Sequence, residues 1–134
     1  MDNQKYTVMV VEDEALLLQA IEKKLRLSGI SVISCAGGNQ AIEYLRTFQK
    51  LPDAIWLDYY LRDMSGLDLV NEIKKDEKLI KIPIVVISNS ASENKVKTLL
   101  ALGVKKYLLK SEYRLDDIIE IVRKIIDEKG KVVS

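Results

Sequence analysis

The sequence predicts a doubly wound α/β fold, a five-stranded parallel sheet with helices on both faces. Two observations carry that expectation. Short apolar runs rich in Val, Ile and aromatic residues (TVMVV, ISVISC, DAIWL, IPIVVI, KYLL) alternate with amphipathic segments of helix length. Such alternation calls for parallel strands joined by right-handed helical crossovers. Four of the runs also end in polar residues: Glu12-Asp13, Asp58, Ser88 and Lys110. In a parallel sheet these endings meet at one edge, where open α/β folds bind ligands. At 134 residues the chain has the length of one domain, enough to bury roughly two-thirds of its unfolded surface.

The strands are expected near 6–11, 30–35, 53–57, 82–87 and 106–109, each bounded by turn residues. The first helix, 14–28, sets Leu17, Ile21, Leu25 and Ser28 near one face and stops at Gly29, a residue suited to a left-handed cap. The second, 39–50, carries Ala41, Leu45 and Phe48 on one stripe, and the third, 66–75, carries Leu67, Val70 and Ile73. Pro83 suits the first residues of the fourth strand. Ser90-Ala91-Ser92-Glu93 matches a capping box for the fourth helix, with Ser90 as the cap, which leaves Ser88 free of that duty. The fifth helix, 114–128, gathers Leu115, Ile118, Ile119, Val122, Ile125 and Ile126 on one stripe. Ile121 falls off that stripe, either at the helix flank or on an exposed partner surface. Residues 129–134 read as a frayed tail.

Composition removes several function classes. With 21 basic and 20 acidic residues the net charge is +1, so nucleic-acid binding has no electrostatic support. The N-terminus lacks a signal-peptide core, and no apolar run reaches the roughly 18 residues of a membrane span, which reads as a cytoplasmic protein with no membrane insertion. Cys35 has no internal disulfide partner and reads as a small buried hydrophobe. The absence of histidine removes imidazole-based catalysis, imidazole zinc sites and any phosphohistidine on this chain.

In the strand order 2-1-3-4-5, strands one and three are neighbours, so Glu12, Asp13 and Asp58 converge at their carboxyl ends. Three carboxylates so close repel unless a cation joins them. Mg2+ suits an all-oxygen donor set, and no softer ligand lies nearby. A strand-end carboxylate beside a cation is suited to accept a phosphoryl group, and Asp58, alone at the end of the middle strand, is the candidate nucleophile. Lys110 would share neutralisation of the phosphoryl oxygens, and the Ser88 hydroxyl would donate to one of them. Taken singly, each of these residues has a plain structural role open to it, as helix cap, turn residue or core side chain.

Together the segments resemble the receiver domain of two-component response regulators, in its single-domain, chemotaxis-type form, over about residues 5–127. VMVVEDE resembles the acid-pair strand, DAIWLDYYLRDMSG the phosphoacceptor segment, IPIVVISNSA the switch-hydroxyl segment and ALGVKKYLLK the final strand. The separations from Asp13 to Asp58, Ser88 and Lys110 are 45, 30 and 22 residues in turn. The resemblance implies a flavodoxin-like fold. It implies Mg2+ held by Glu12, Asp13, Asp58 and the backbone carbonyl of Tyr60, with a turn glycine at Gly66. Asp58 would then be the phosphoacceptor, Lys110 the phosphate-binding lysine, and Ser88 and Tyr107 the switch pair. A histidine kinase or phosphotransfer protein would donate the phosphoryl group, and the chain would catalyse its own Mg2+-dependent phosphorylation and dephosphorylation. The response would be a repacked helix 4, strand 5 and helix 5 surface that binds a downstream protein.

Some positions depart from that pattern. Ser111 follows Lys110 where proline is usual, which predicts a different loop conformation or a retained cis bond. Arg62 replaces a proline, which predicts a looser loop that leaves the chemistry untouched. Asn89 and Tyr60 are bulky beside the acceptor and predict slow loss of phosphate. Two other classes stay open on sequence. One is a receiver-like docking module that is never phosphorylated. The other is a haloacid-dehalogenase-type phosphatase, which wants a second acid where this chain has Tyr60.

Overall fold

The computed structural model describes residues 6–47, 50–90 and 92–131. Five parallel strands, β1 (Thr7–Val11), β2 (Ser31–Cys35), β3 (Ala54–Asp58), β4 (Ile84–Ser88) and β5 (Lys106–Leu109), form one sheet in the order β2-β1-β3-β4-β5. The expected fold class and strand order are both found. Between and after the strands run α1 (Ala15–Leu27), α2 (Gly38–Thr47), α3 (Gly66–Lys74), α4 (Glu93–Ala101) and α5 (Leu115–Lys131).

Strand alternation divides the core in two, because successive side chains point to opposite faces. Met9, Val11, Ile55, Leu57, Ile84 and Val86 pack with Leu45 of α2, Val70 of α3 and Leu99 of α4. Val8, Val10, Trp56, Val85 and Ile87 pack with Ile21 and Leu25 of α1 and with Ile118 and Val122 of α5. β1, β3 and β4 are buried along their whole length, as strands covered on both faces must be. Gly29 closes α1 at φ +81°, the left-handed conformation expected of it. Ile121 is half-buried against the α1/α5 layer, so it lies at the helix flank.

Two local expectations change, and one left open is decided. α5 continues to Lys131, through part of the segment read as a tail; 132–134 lie outside the described residues, as does Phe48 of the predicted α2 stripe. The N-cap of α4 is Ser92, whose hydroxyl accepts the Lys95 N–H at 3.2 Å. Ser90 is occupied instead in the β4–α4 loop, donating its N–H to Ser88 Oγ at 3.3 Å. A capping box does form at α3, between Ser65 and Asp68. Finally, no cis peptide occurs among the described residues, so the Lys110–Ser111 bond is trans, and the chain turns through a short 3-10 segment, Lys110–Glu112.

Cys35 is buried at the end of β2, and burial pushes its thiol up to about 11. The thiolate is the reactive form. The native protein is therefore expected to resist an aromatic disulfide reagent at neutral pH and to react promptly once unfolded in denaturant, a comparison read by absorbance.

Candidate functional site

Of the four polar strand endings, Glu12-Asp13, Asp58 and Lys110 come together at the carboxyl edge of the sheet, whereas Ser88 ends β4 in step with the opposite layer. Glu12 follows β1, Asp58 closes β3 and Lys110 follows β5. Each is in step with Val10, Trp56 and Leu108 on the side that faces α1 and α5. Carboxylate oxygens of Glu12, Asp13 and Asp58 lie within 4.8 Å of one another. Lys110 Nζ stands 2.9 Å from Asp58 Oδ1 and 3.4 Å from Glu12 Oε1. Glu12 is only 3% exposed, and its second oxygen accepts the Glu14 N–H at 3.1 Å.

Burial above all raises the Asp58 carboxyl; the hydrogen bond and charge of Lys110 draw it down, and the Asp13 charge adds to the rise. Glu12 is likewise raised, first by burial and further by Asp58, against the pull of the Glu14 N–H and Lys110. Burial lowers Lys110, but its bonds and charge attraction to Asp58 and Glu12 outweigh that and hold the ammonium above its ordinary value. A carboxyl raised on folding adds stability below its ordinary value and loses it as pH rises through the raised one. At neutral pH and without metal, Asp58→Asn is therefore expected to melt at a higher temperature than the native chain. The gap should narrow as pH falls through the range just above the ordinary carboxylate value, as thermal melts in EDTA will report.

The donor set fits a small hard divalent cation. Three carboxylates within reach of one another offer oxygen only, and a cation between them offsets a repulsion that one lysine leaves uncompensated.

The loop after Asp58 is tied to this cluster. Arg62 donates its backbone N–H to Asp13 Oδ2 at 2.7 Å, and its guanidinium Nε lies 3.9 Å from the same oxygen. The expectation that Arg62 loosens the loop away from the chemistry is thus corrected: a proline at 62 has no N–H to give Asp13. Gly66 closes the turn after Asp58 as the first residue of α3. It donates its N–H to the Tyr59 carbonyl at 2.6 Å, and a Cβ there would stand 3.0 Å from Tyr59 Cα.

Ser88 is fully buried but in step with Val86 of the other layer. Its hydroxyl accepts from Ser90 N–H, and among the described residues no hydrogen bond joins it to Asp58 or Lys110. Ser90 in turn meets both aromatic candidates. Its hydroxyl pairs with Tyr60 Oη at 2.9 Å, and its carbonyl accepts from Tyr107 Oη at 2.6 Å. Lys95 of α4 donates to Tyr60 Oη at 2.9 Å and sits 4.9 Å from the ring centroids of Tyr59 and Tyr60, a cation–π distance. Asn89 is exposed. Lys95 and Ser90 were not singled out on sequence as neighbours of Tyr60, because only the fold brings α4 over the β3–α3 loop.

Behind the acids lies an apolar cavity of about 240 Å³, with Leu17, Ile21, Trp56, Ile87 and Ile118 in its walls. Trp56, the chain's one tryptophan, lies two residues from Asp58 in the wall of this cavity, so its fluorescence is expected to report on the cluster.

Residues 8–123 match the family model described as the response regulator receiver domain. The phosphate regulon transcriptional regulatory protein PhoB of Pseudomonas aeruginosa is 29% identical over 104 residues, covering 78% of this chain and 44% of that protein. A crystal structure of a response regulator receiver protein from Pseudomonas putida aligns with a TM-score of 0.82 at 30% identity, over 90% of this chain and 98% of that one. The phosphorylated cyanobacterial phytochrome response regulator RcpA aligns with a TM-score of 0.78 at 28% identity, over 98% of each chain. The chain spans about half the length of the first curated relatives it matches, 53% and 44%. Among the described residues no helix is long and apolar enough to cross a membrane.

Proposed function

This chain belongs to the response regulator receiver family of two-component signalling, and on that footing we propose that it is a phosphoacceptor switch working through Asp58. The observation that carries the reading is a buried carboxylate held 2.9 Å from one ammonium with two more carboxylates beside it. An Asp58 oxygen attacks the phosphorus of a phosphohistidine on a partner kinase or phosphotransfer protein. The P–N bond breaks, its electron pair returns to the imidazole, and an acyl phosphate remains on Asp58. Glu12, Asp13, Asp58 and the Tyr60 carbonyl would hold Mg2+, which when bound supplies positive charge to the phosphoryl oxygens. Lys110 supplies the rest, exchanging part of its contact with Asp58 and Glu12 for the incoming group.

The switch follows from the bonds around Ser90. Turning the Ser88 hydroxyl toward a phosphoryl oxygen removes the acceptor of the Ser90 N–H, and Ser90 is also the residue that holds Tyr107. A new charge at Asp58 thereby biases the β4–α4 loop and Tyr107 together. The output is contact with a downstream protein through α4, β5 and α5. A docking module that is never phosphorylated keeps the fold but gives this charge arrangement no role. With the chain placed in the receiver family, the phosphatase alternative loses its support.

The test is the intact mass after incubation with acetyl phosphate. A single phosphoryl adduct that forms with Mg2+ and is abolished by EDTA is expected. No adduct, with Mg2+ binding still visible in Trp56 fluorescence, would favour docking alone. Tyr60 and its Lys95 and Ser90 partners crowd the approach of water, so the adduct is expected to decay slowly and Tyr60→Ala to hasten its loss. A native adduct lost as quickly as that of the variant, in a time course after desalting into Mg2+, would count against this.

A further inference from the structure

The Gly37-Gly38 pair, the only adjacent glycines in the sequence, has no part in the chemistry above, yet it lies at the same edge of the sheet. The structure gives it a use. The Asp63 carboxylate, from the β3–α3 loop, reaches across to the start of α2, where Oδ1 accepts the Gly38 N–H at 3.0 Å and Oδ2 the Asn39 N–H at 2.9 Å. A Cβ on Gly37 would stand 2.9 Å from Asp63 Oδ2, and one on Gly38 would stand 2.4 Å from the Met64 sulfur. Gly37 thus leaves room for the Asp63 carboxylate, and neither glycine takes an unusual backbone angle. The first N–H groups of a helix have no partner within it and carry partial positive charge, so a carboxylate is well placed there. Those N–H groups, Asn39 foremost, hold the Asp63 carboxyl below the usual carboxylate range.

Asp63 is adjacent in sequence to Arg62, whose N–H grips Asp13 Oδ2 at 2.7 Å. The loop is therefore fastened at two consecutive residues, one to an acid of the cluster and one to α2. Its other end is closed by the Gly66 N–H on the Tyr59 carbonyl and by the bridge between Tyr60 and Ser65. We propose that Asp63 is a positioning residue for cation binding: by clasping the start of α2 it fixes the loop that orients Asp13 and carries Tyr60. This rests on the reading of Glu12, Asp13 and Asp58 as a Mg2+ site. Asp63 itself touches neither the cluster nor a substrate; it acts through Arg62 and the loop backbone. Outlying groups that orient metal ligands commonly govern affinity in this way.

The test is a Mg2+ titration of the full chain by Trp56 fluorescence, on native protein, Asp63→Asn and Gly37→Ala, at low and at high KCl, with thermal melts alongside. Gly37→Ala displaces the Asp63 carboxylate while leaving every charge in place. Both variants are expected to bind Mg2+ about 10-fold more weakly than the native chain, and the loss is expected to persist in high salt, where the attraction of a distant exposed charge is screened. Two results would overturn the proposal. In one, both variants melt earlier but keep native Mg2+ affinity, so that Asp63 is only a helix cap. In the other, Asp63→Asn alone binds weakly and recovers in salt, so that only its charge mattered. Failure of the underlying site reading looks different: the native chain itself then shows no Mg2+-dependent change.

Discussion

Lys110→Met is expected to slow phosphoryl uptake from acetyl phosphate by about 100-fold or more, the cost of losing one preorganised charge at a developing oxyanion. The methionine keeps most of the stem volume, so the loss reports the ammonium. That ammonium is the one cation within 4 Å of Asp58 among the described residues. The same change should destabilise the metal-free protein by about 1–3 kcal/mol, because Glu12 and Asp58 lose the cation that offsets their burial. Both carboxyls, already raised, rise further, so the variant should regain stability on mild acidification. It should also bind Mg2+ more tightly than the native chain, since no lysine competes for the acids. Labelling rates and urea unfolding with and without Mg2+ separate the effects. Weakened catalysis with an unchanged Mg2+ response would mean that Lys110 does not share the cation's ligands.

Leu57→Ala carries the largest expected cost to the fold. Leu57 is fully buried in the central strand, immediately before Asp58, and packs into the α2/α3 layer. Truncating such a side chain costs about 2–5 kcal/mol, against a total stability on the order of 5–15 kcal/mol. The urea midpoint should fall sharply with little change in slope. Leu16→Ala, at a position 77% exposed on α1, should stay within about 0.5 kcal/mol of native. A comparable loss at both positions would contradict the burial on which the layer assignment rests.

What the sequence made legible was periodic or terminal. Strand alternation decides which residues face α1 and α5, and it carries Glu12, Asp58 and Lys110 to one side because each continues the phase of the strand before it. The order of strands then joins them. What it left hidden depends on backbone groups in loops. Arg62 matters through its N–H, which every residue except proline possesses, so its side chain gave no signal. Ser90 fits a capping motif, yet Ser88, Tyr60 and Tyr107 hold it in the loop, and Ser92 takes the cap. Asp63 meets α2 across 24 residues of chain, and its only trace in the sequence is the pair of glycines that admits it. The Glu14 N–H folds back on the buried Glu12 carboxylate, a local bond that periodicity does not register.

Whether Asp58 alone is the acceptor is read by locating the phosphoryl group. Protein labelled with acetyl phosphate and Mg2+ is reduced with borohydride, which converts an acyl phosphate on aspartate to homoserine, then digested and sequenced by tandem mass spectrometry. Homoserine is expected at position 58 of the native chain and is absent from Asp58→Asn. Homoserine at Asp13 or another acid, or an unlabelled native chain that still binds Mg2+, would contradict Asp58 as the acceptor.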